Sequence, residues 1–234
     1  MMGTKGTPMA TSYGQFCPLA KAMEILDERW TILIVRELLL GSTRFNELRR
    51  GVPRMSPALL SKRLQTLERH GIIEHTDGEY RLTECGRDLH AAVMSLGVWG
   101  LRWVEDFGDE DLDPHLLMWD VRRTVPTAAW PAGRTCVAVE FTDLERARRW
   151  WLVVSGGDVD TCDYDPGYEV SATVRATLRT LTRVWRGDVS WDQAMRSRQV
   201  EILAPRETRA AVPDWFGRSM LADALAAESS LSAR

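Results

Sequence analysis

Ser56-Pro57-Ala58-Leu59-Leu60-Ser61-Lys62-Arg63-Leu64-Gln65-Thr66-Leu67-Glu68-Arg69-His70-Gly71 carries the start signal, the stripe and the stop of one helix. Ser56 is an N-cap residue whose oxygen can accept from an orphan N–H, and Pro57 fits the first turn, where no N–H is needed. At 100° per residue, Leu64 and Leu67 fall within about 40° of Leu60, a narrow core stripe. Ala58, Ser61, Lys62, Gln65 and Arg69 gather between about 100° and 200°, on the opposite side. Small and polar residues there let a helix lie deep in a major groove. Lys62 then reaches a guanine edge and Gln65 an adenine edge. Arg63 and Arg69 flank that surface, where phosphate contacts are expected. An ordinary amphipathic surface helix would give the same wheel, so the neighbouring sequence has to arbitrate.

Upstream, Cys17-Pro18 opens a first helix through Leu19, Ala22, Met23, Ile25 and Leu26. A second runs through Trp30, Ile32, Leu33, Val35, Leu38 and Leu39 and stops at Gly41. A short third helix spans Phe45 to Arg50. Downstream, Ile72-Ile73-Glu74-His75 and Tyr80-Arg81-Leu82 bracket a turn containing Asp77-Gly78, a strong hairpin signal. A long helix from about Thr83 to Asp106 closes the segment. Four helices, a hairpin and a helix form the winged-helix order, with the hairpin as wing.

Charge supports that reading. The chain's net charge is −3, yet residues 1–107 hold 14 Lys/Arg against 13 Asp/Glu. Residues 44–70 alone hold seven basic residues against Glu47 and Glu68. A local +5 suits a phosphate backbone. Arg44, Arg49 and Arg54 lie on or just before the turn ahead of the reading helix, and Arg81 sits near the wing's base. The wing tip itself, Asp77-Gly78-Glu79, is acidic, which puts wing contacts in doubt.

Residues 17–107 resemble the HxlR-type branch of the MarR-like winged-helix regulators. The motifs are Cys17-Pro18-Leu19, Asp27 through Leu38 (DERWTILIVREL), Arg44-Phe45-Asn46-Glu47-Leu48, Leu60 through Gly71, and Tyr80 through Gly86 (YRLTECG). The resemblance implies a sequence-specific DNA-binding transcriptional regulator: a homodimer, held by the first and last helices of the domain, repressing at a palindromic operator. Val93, Leu96, Gly97, Gly100, Leu101 and Val104 form an apolar stripe compatible with it. Double-stranded DNA and a second copy are thus the expected partners. The DNA-contacting set is Arg44, Arg54, Ser56, Ala58, Ser61, Lys62, Arg63, Gln65, Arg69 and Arg81. In several family regulators the cysteine opening the first helix responds to oxidants or electrophiles, and Cys17 occupies that place. A helix N-terminus favours thiolate. A small packing residue is the plainer account of it.

Gly108 to Asp113 reads as an acidic linker. The expected division is a disordered leader (1–12), the winged-helix domain (13–107), the linker (108–113), a second domain (114–227) and a tail (228–234). The fold class is α+β, the second domain being mixed α/β. Its expected strands lie at Cys136–Phe141, Trp150–Val154, Tyr168–Thr173 and Val200–Leu203. Helices are expected near 173–186, 191–198 and 205–227. Trp150 to Gly157, Asp160 to Gly167, Leu178 to Asp188, Trp191 to Ala194 and Val200 to Leu203 resemble a sterol-carrier-protein-type domain, which implies a sheet and helices around an apolar tunnel. Trp150, Trp151, Leu178, Leu181, Trp185, Trp215 and Phe216 would line a pocket for an apolar small-molecule effector; they could equally fill a core.

Other classes find little support. GxSxG, HExxH, GxxxxGK[ST] and GxGxxG are absent, so no enzyme is expected. The four cysteines form no CxxC pair and the four histidines lack ligand spacing, so neither metal nor cofactor is expected. Asp158, Asp160, Asp163 and Asp165 lack calcium-loop spacing and read as a solvated loop. No apolar stretch is long enough for a membrane helix, and the start of the chain lacks a secretory layout, which leaves the cytoplasm as the expected compartment. A lipid or hydrophobic small-molecule binding protein with no DNA role is the alternative, but it leaves the basic helix unused.

Overall fold

The computed structural model describes residues 12–104 and 107–224, which separate into two compact units, 1–93 and 94–234. The leader up to residue 11, residues 105–106 of the expected long helix, the end of the last helix and the tail lie outside the described residues.

In the first unit the helices are α1 (Pro18–Leu26), α2 (Thr31–Leu39), α3 (Phe45–Gly51) and α4 (Pro57–Arg69). Strands β1 (Ile73–Thr76) and β2 (Glu79–Leu82) and the short helix α5 (Glu84–Asp88) complete it. The core joins Ile34, Val35 and Leu38 of α2, Leu48 of α3, Leu60, Leu64 and Leu67 of α4, and Ile73 of β1. Glu37 is fully buried beside them and accepts from Arg36 Nη2 at 2.7 Å, while the same nitrogen reaches the Gly51 carbonyl at 3.1 Å. Gly51 is where α3 passes the Glu37 carboxylate, and a Cβ there would overlap it. The hairpin closes at Asp77-Gly78, both at positive φ, with Thr76 opposite Glu79. That is the geometry an Asp-Gly turn supplies.

The single long helix expected after the wing is two helices. Thr83 caps α5 by accepting from Gly86 N–H, and its own N–H donates to the Ile72 carbonyl at 3.0 Å. Gly86 abuts that same carbonyl so closely that a Cβ has no room. The hairpin therefore sets the direction of α5, and the chain re-aims at Leu89 before α6 (His90–Trp103) begins. The unit division falls within α6, which the sequence places wholly with the winged helix.

The second unit builds a five-stranded sheet from β3 (Thr135–Phe141), β4 (Arg149–Ser155), β5 (Asp158–Cys162), β6 (Val170–Ala176) and β7 (Val200–Leu203). Their order is β5-β4-β3-β6-β7, with β3 and β6 parallel at the centre and the other pairs antiparallel. Helices α7 (Pro114–Thr124), α8 (Leu178–Arg186), α9 (Trp191–Arg196) and α10 (Arg206–Trp215) pack on one face, against Val137, Leu152, Val174 and Ile202. The opposite face holds a smaller buried cluster of Cys136, Ala138, Trp151 and Val153.

Two of these elements escape the sequence reading. Helix α7 starts at Asp113, whose carboxylate accepts from His115 and Leu116 N–H, with Pro114 at its first turn. Strand β5 is the supposed acidic loop: it pairs with β4 so that Val159 joins the helix-side core while Asp158 and Asp160 point the other way. The linker is not free chain either. Arg179 donates to the Phe107 carbonyl at 2.9 Å and pairs with Asp109 at 2.7 Å, and the Phe107 ring lies under both Arg179 and Arg186. The helix expected over 205–227 is interrupted, and helix resumes at Met220. After Trp215 the chain turns extended, and Gly217 packs against the Thr124 carbonyl where a side chain would collide.

Candidate nucleic-acid interface

Helix α4 is held by its ends and its stripe. Ser56 Oγ accepts from Leu59 N–H at 3.3 Å, and Leu60, Leu64 and Leu67 are completely covered. The opposite side stays open: Ser56, Ala58, Lys62, Gln65 and Arg69 are exposed and Ser61 half-buried. These residues present a continuous polar and small-residue face. Among the described residues no carboxylate lies in ion-pair range of Lys62, Arg49 or Arg54. Arg69 bends back along its own helix, donating to the Gln65 carbonyl and to Thr66 Oγ1 at 3.0 Å.

Arg63 is a correction. It does not flank the open face; it is 8% exposed, pairs with Glu28 and donates to the Arg29 carbonyl at 3.4 Å. Its place on the wheel, roughly 60° from Leu60, already put it at the edge of the core stripe. The pairing with Glu28, 35 positions earlier, had no local signal. Arg63 thus ties α4 to the turn before α2.

The wing stands beside the start of α3. Tyr80 N–H donates to the Thr43 carbonyl at 2.7 Å, and the Tyr80 ring stacks on His75 at 4.1 Å. Burial, aided by the Glu68 charge, pushes the Tyr80 phenol up, so it stays protonated. Arg44 and Arg81, both exposed, converge on one carboxylate. Arg81 bonds Glu79, and Arg44 Nε lies 3.7 Å from its other oxygen. The sequence marked the tip as acidic but did not show that its glutamate holds both arginines.

The matches with known proteins fall on this same region. A family model described as HxlR-like helix-turn-helix matches residues 25–107. The regulator YvaP of Bacillus subtilis, described as an uncharacterised HTH-type transcriptional regulator, is 35% identical, and the match covers 39% of this chain and 92% of YvaP. This chain belongs to the HxlR-like helix-turn-helix family. An uncharacterised HTH-type regulator of Mycobacterium tuberculosis is 43% identical over 35% of this chain and 56% of its own length. The chain therefore spans about half the length of that relative. The crystal structure of quinone-bound YodB from Bacillus subtilis is 34% identical, over 37% of this chain and 99% of that one, with a TM-score of 0.35.

The remaining candidate residues are distributed as follows. Cys17 is half-buried and takes the N-cap position of α1, with no side-chain cap bond. Cys136 and Cys162 are buried in the second unit, and burial pushes both thiols up. On α6, Val93 belongs to the first core and Gly97 abuts Leu221, so neither faces outward. The outward stripe is Leu96, Trp99, Trp103 and Val104, each between 57% and 66% exposed, with open space at Gly100. Of the supposed pocket residues, Trp150, Leu178, Leu181, Trp215 and Phe216 share the helix-side core, with Trp185 packed beside it. Trp151 points to the opposite face of the sheet. Successive strand residues alternate in direction, so Trp150 and Trp151 could not both line one cavity. Among the described residues no group of three His, Cys, Asp or Glu is placed to hold a metal, and no helix is long and apolar enough to cross a membrane.

Proposed function

We propose that this chain is a sequence-specific DNA-binding transcriptional regulator acting as a homodimeric repressor on a palindromic operator. One observation carries the reading: α4 buries three leucines and turns Lys62, Gln65 and their small neighbours outward, next to a wing. A helix with that face, backed by basic residues on α3 and its following turn, fits the major groove with phosphates on either side. The exposed stripe Leu96-Trp99-Trp103 supports the homodimer, since water-facing tryptophans at helical spacing are stabilised by a second apolar face.

The test is fluorescence anisotropy with DNA from the gene's own upstream region and with fragments selected from the genome. Lys62→Ala/Gln65→Ala should abolish the preference for the operator, about 10-fold or more per lost base contact, while random DNA still binds weakly. Equal binding of all sequences by the unsubstituted protein would remove this reading.

Two modes of control accompany it. The five-stranded sheet with helices on one face, which share a core holding Trp150, Leu178 and Trp215, supports a sterol-carrier-like domain for an apolar effector. Quenching of tryptophan fluorescence by an added fatty acid tests it, and no change in emission or thermal midpoint would refute it. Cys17 at the cap of α1 supports a thiol switch. YodB is 32% identical to this chain over 87% of YodB's length and is described bound to a quinone. Cys17→Ser should leave operator binding intact and make it insensitive to a quinone.

A further inference from the structure

We propose that Glu79 is an internal counterion for the two arginines placed to grip the DNA backbone, which a phosphate must displace before the wing can engage. This rests on the DNA-binding reading above and assigns a role to the wing's acidic tip. Three features place the groups. The Asp77-Gly78 turn starts β2 at Glu79, the Tyr80–Thr43 backbone bond fixes that strand beside the N-terminus of α3, and Arg44 is the residue just before α3. Arg81, two positions along β2, emerges on the same side as Glu79. The carboxylate uses both oxygens, one for each arginine. Its side chain is 24% exposed, against 71% for Arg44 and 60% for Arg81. The acid is thus sheltered between two guanidiniums that remain open to solvent on their other sides.

The consequences are electrostatic. Without Glu79 the two arginines would present two positive charges; with it the trio presents one. Exposed ion pairs are individually weak, so a phosphate can replace the carboxylate, at a cost paid at every site on the duplex. A carboxylate displaced by a phosphate is left to attract a cation from solution, which offsets part of the ions released from the DNA. Binding to DNA releases ions in proportion to the phosphates neutralised, with a slope of about 0.9 per contact. An arginine already neutralised by Glu79 contributes less than its share.

The test compares wild-type protein with Glu79→Gln for binding to a random 30-mer duplex and to the operator, over a series of salt concentrations. Glu79→Gln should bind random DNA between about 2-fold and 10-fold tighter at low salt. Its log–log salt slope should steepen by about one. In an Arg44→Ala/Arg81→Ala background the same substitution should change nothing. Asp88→Asn, an exposed carboxylate on α5, controls for net charge. Unchanged affinity and slope in Glu79→Gln overturn the counterion, as does an equal gain from Asp88→Asn or a persistent gain without the arginines. Failure of the wild-type protein to bind any duplex would overturn the regulator reading, and the counterion with it. Circular dichroism of each variant excludes misfolding as the cause of a null result.

Discussion

The α4 side of the first unit and the sheet of the second place their arginines and lysines differently. The first turns cations outward: Lys62, Arg49 and Arg54 meet solvent with no carboxylate in ion-pair range among the described residues. In the second, a group of arginines closes on one buried acid. Arg148, Arg149 and Arg175 converge on Glu140 at 2.6, 3.4 and 3.5 Å, and Arg175 also reaches Glu201. What the second unit turns outward is apolar, the Leu96-Trp99-Trp103 stripe of α6. A surface of unpaired cations suits a polyanion, whereas an open tryptophan face suits another apolar face. On the proposed reading, the difference separates the part of the chain that binds DNA from the part that pairs with a second copy.

The largest effect should come from breaking the apolar side of that contrast. Trp99→Glu puts a charge in the middle of the stripe while leaving the inward residues of α6 untouched. Sedimentation velocity should show a dimer becoming a monomer. Operator affinity should then fall by about 100-fold or more, because two half-sites no longer bind as one. A dimer that survives Trp99→Glu would assign the stripe to some other use.

Arg63 and Arg69 sharpen the contrast within a single helix. Both are α4 arginines six residues apart, yet one is buried and paired with Glu28 while the other lies along the surface. Arg63→Ala should cost about 1–2 kcal/mol of stability, since it removes a charge-assisted bond and leaves the Glu28 carboxylate without it. Arg69→Ala should change stability by less than about 0.5 kcal/mol. It should instead flatten the salt dependence of DNA binding by about one unit of slope. Urea midpoints and salt titrations measure the two effects separately, and a reversal of the pattern would undo the assignment.

How far these features were readable from residues alone varies with the range of the interaction. Helix α4 was legible because its cap, proline, leucine stripe and stop all lie within sixteen consecutive residues. The hairpin was legible from Asp77-Gly78 for the same reason. Strand β5 was misread because its aspartates dominate its composition, while its burial depends on pairing with β4 across the Gly156-Gly157 turn. Helix α7 announced itself with Asp113-Pro114, but its acidic surroundings drew attention to a linker instead. Among the site residues, the outward face of α4 followed from the wheel. Glu28 reaches Arg63 and Glu79 reaches Arg44 across the fold, where no periodicity points. Arg81 lies two residues from Glu79 on one strand, where alternation puts both on the same side. Trp151 was grouped with Trp150 by residue type, and only strand alternation separates them.

The smallest effect concerns the second unit's self-paired arginines. Glu140 is buried, and burial alone would raise its carboxyl. The hydrogen bonds from Arg148 and Arg149, with the charges of Arg148 and Arg175, outweigh that and hold it below its ordinary value of 4.5. A carboxyl whose folded value is depressed favours the folded state above the unfolded value and loses that contribution as pH falls through the folded one. The contribution of Glu140 is therefore present at neutral pH and is lost as the pH falls below 4.5 through the lower folded value. Because the three guanidiniums are themselves partly in solvent, it is smaller than that of a fully enclosed pair. Glu140→Gln should lower the thermal midpoint of the second unit at pH 7, and the gap to wild type should narrow as the buffer is taken toward pH 3.5. A gap that stays constant with pH would mean that Glu140 acts through shape and neutral hydrogen bonds. The arginines around it would then count as outward charge, and the contrast between the two units would weaken accordingly.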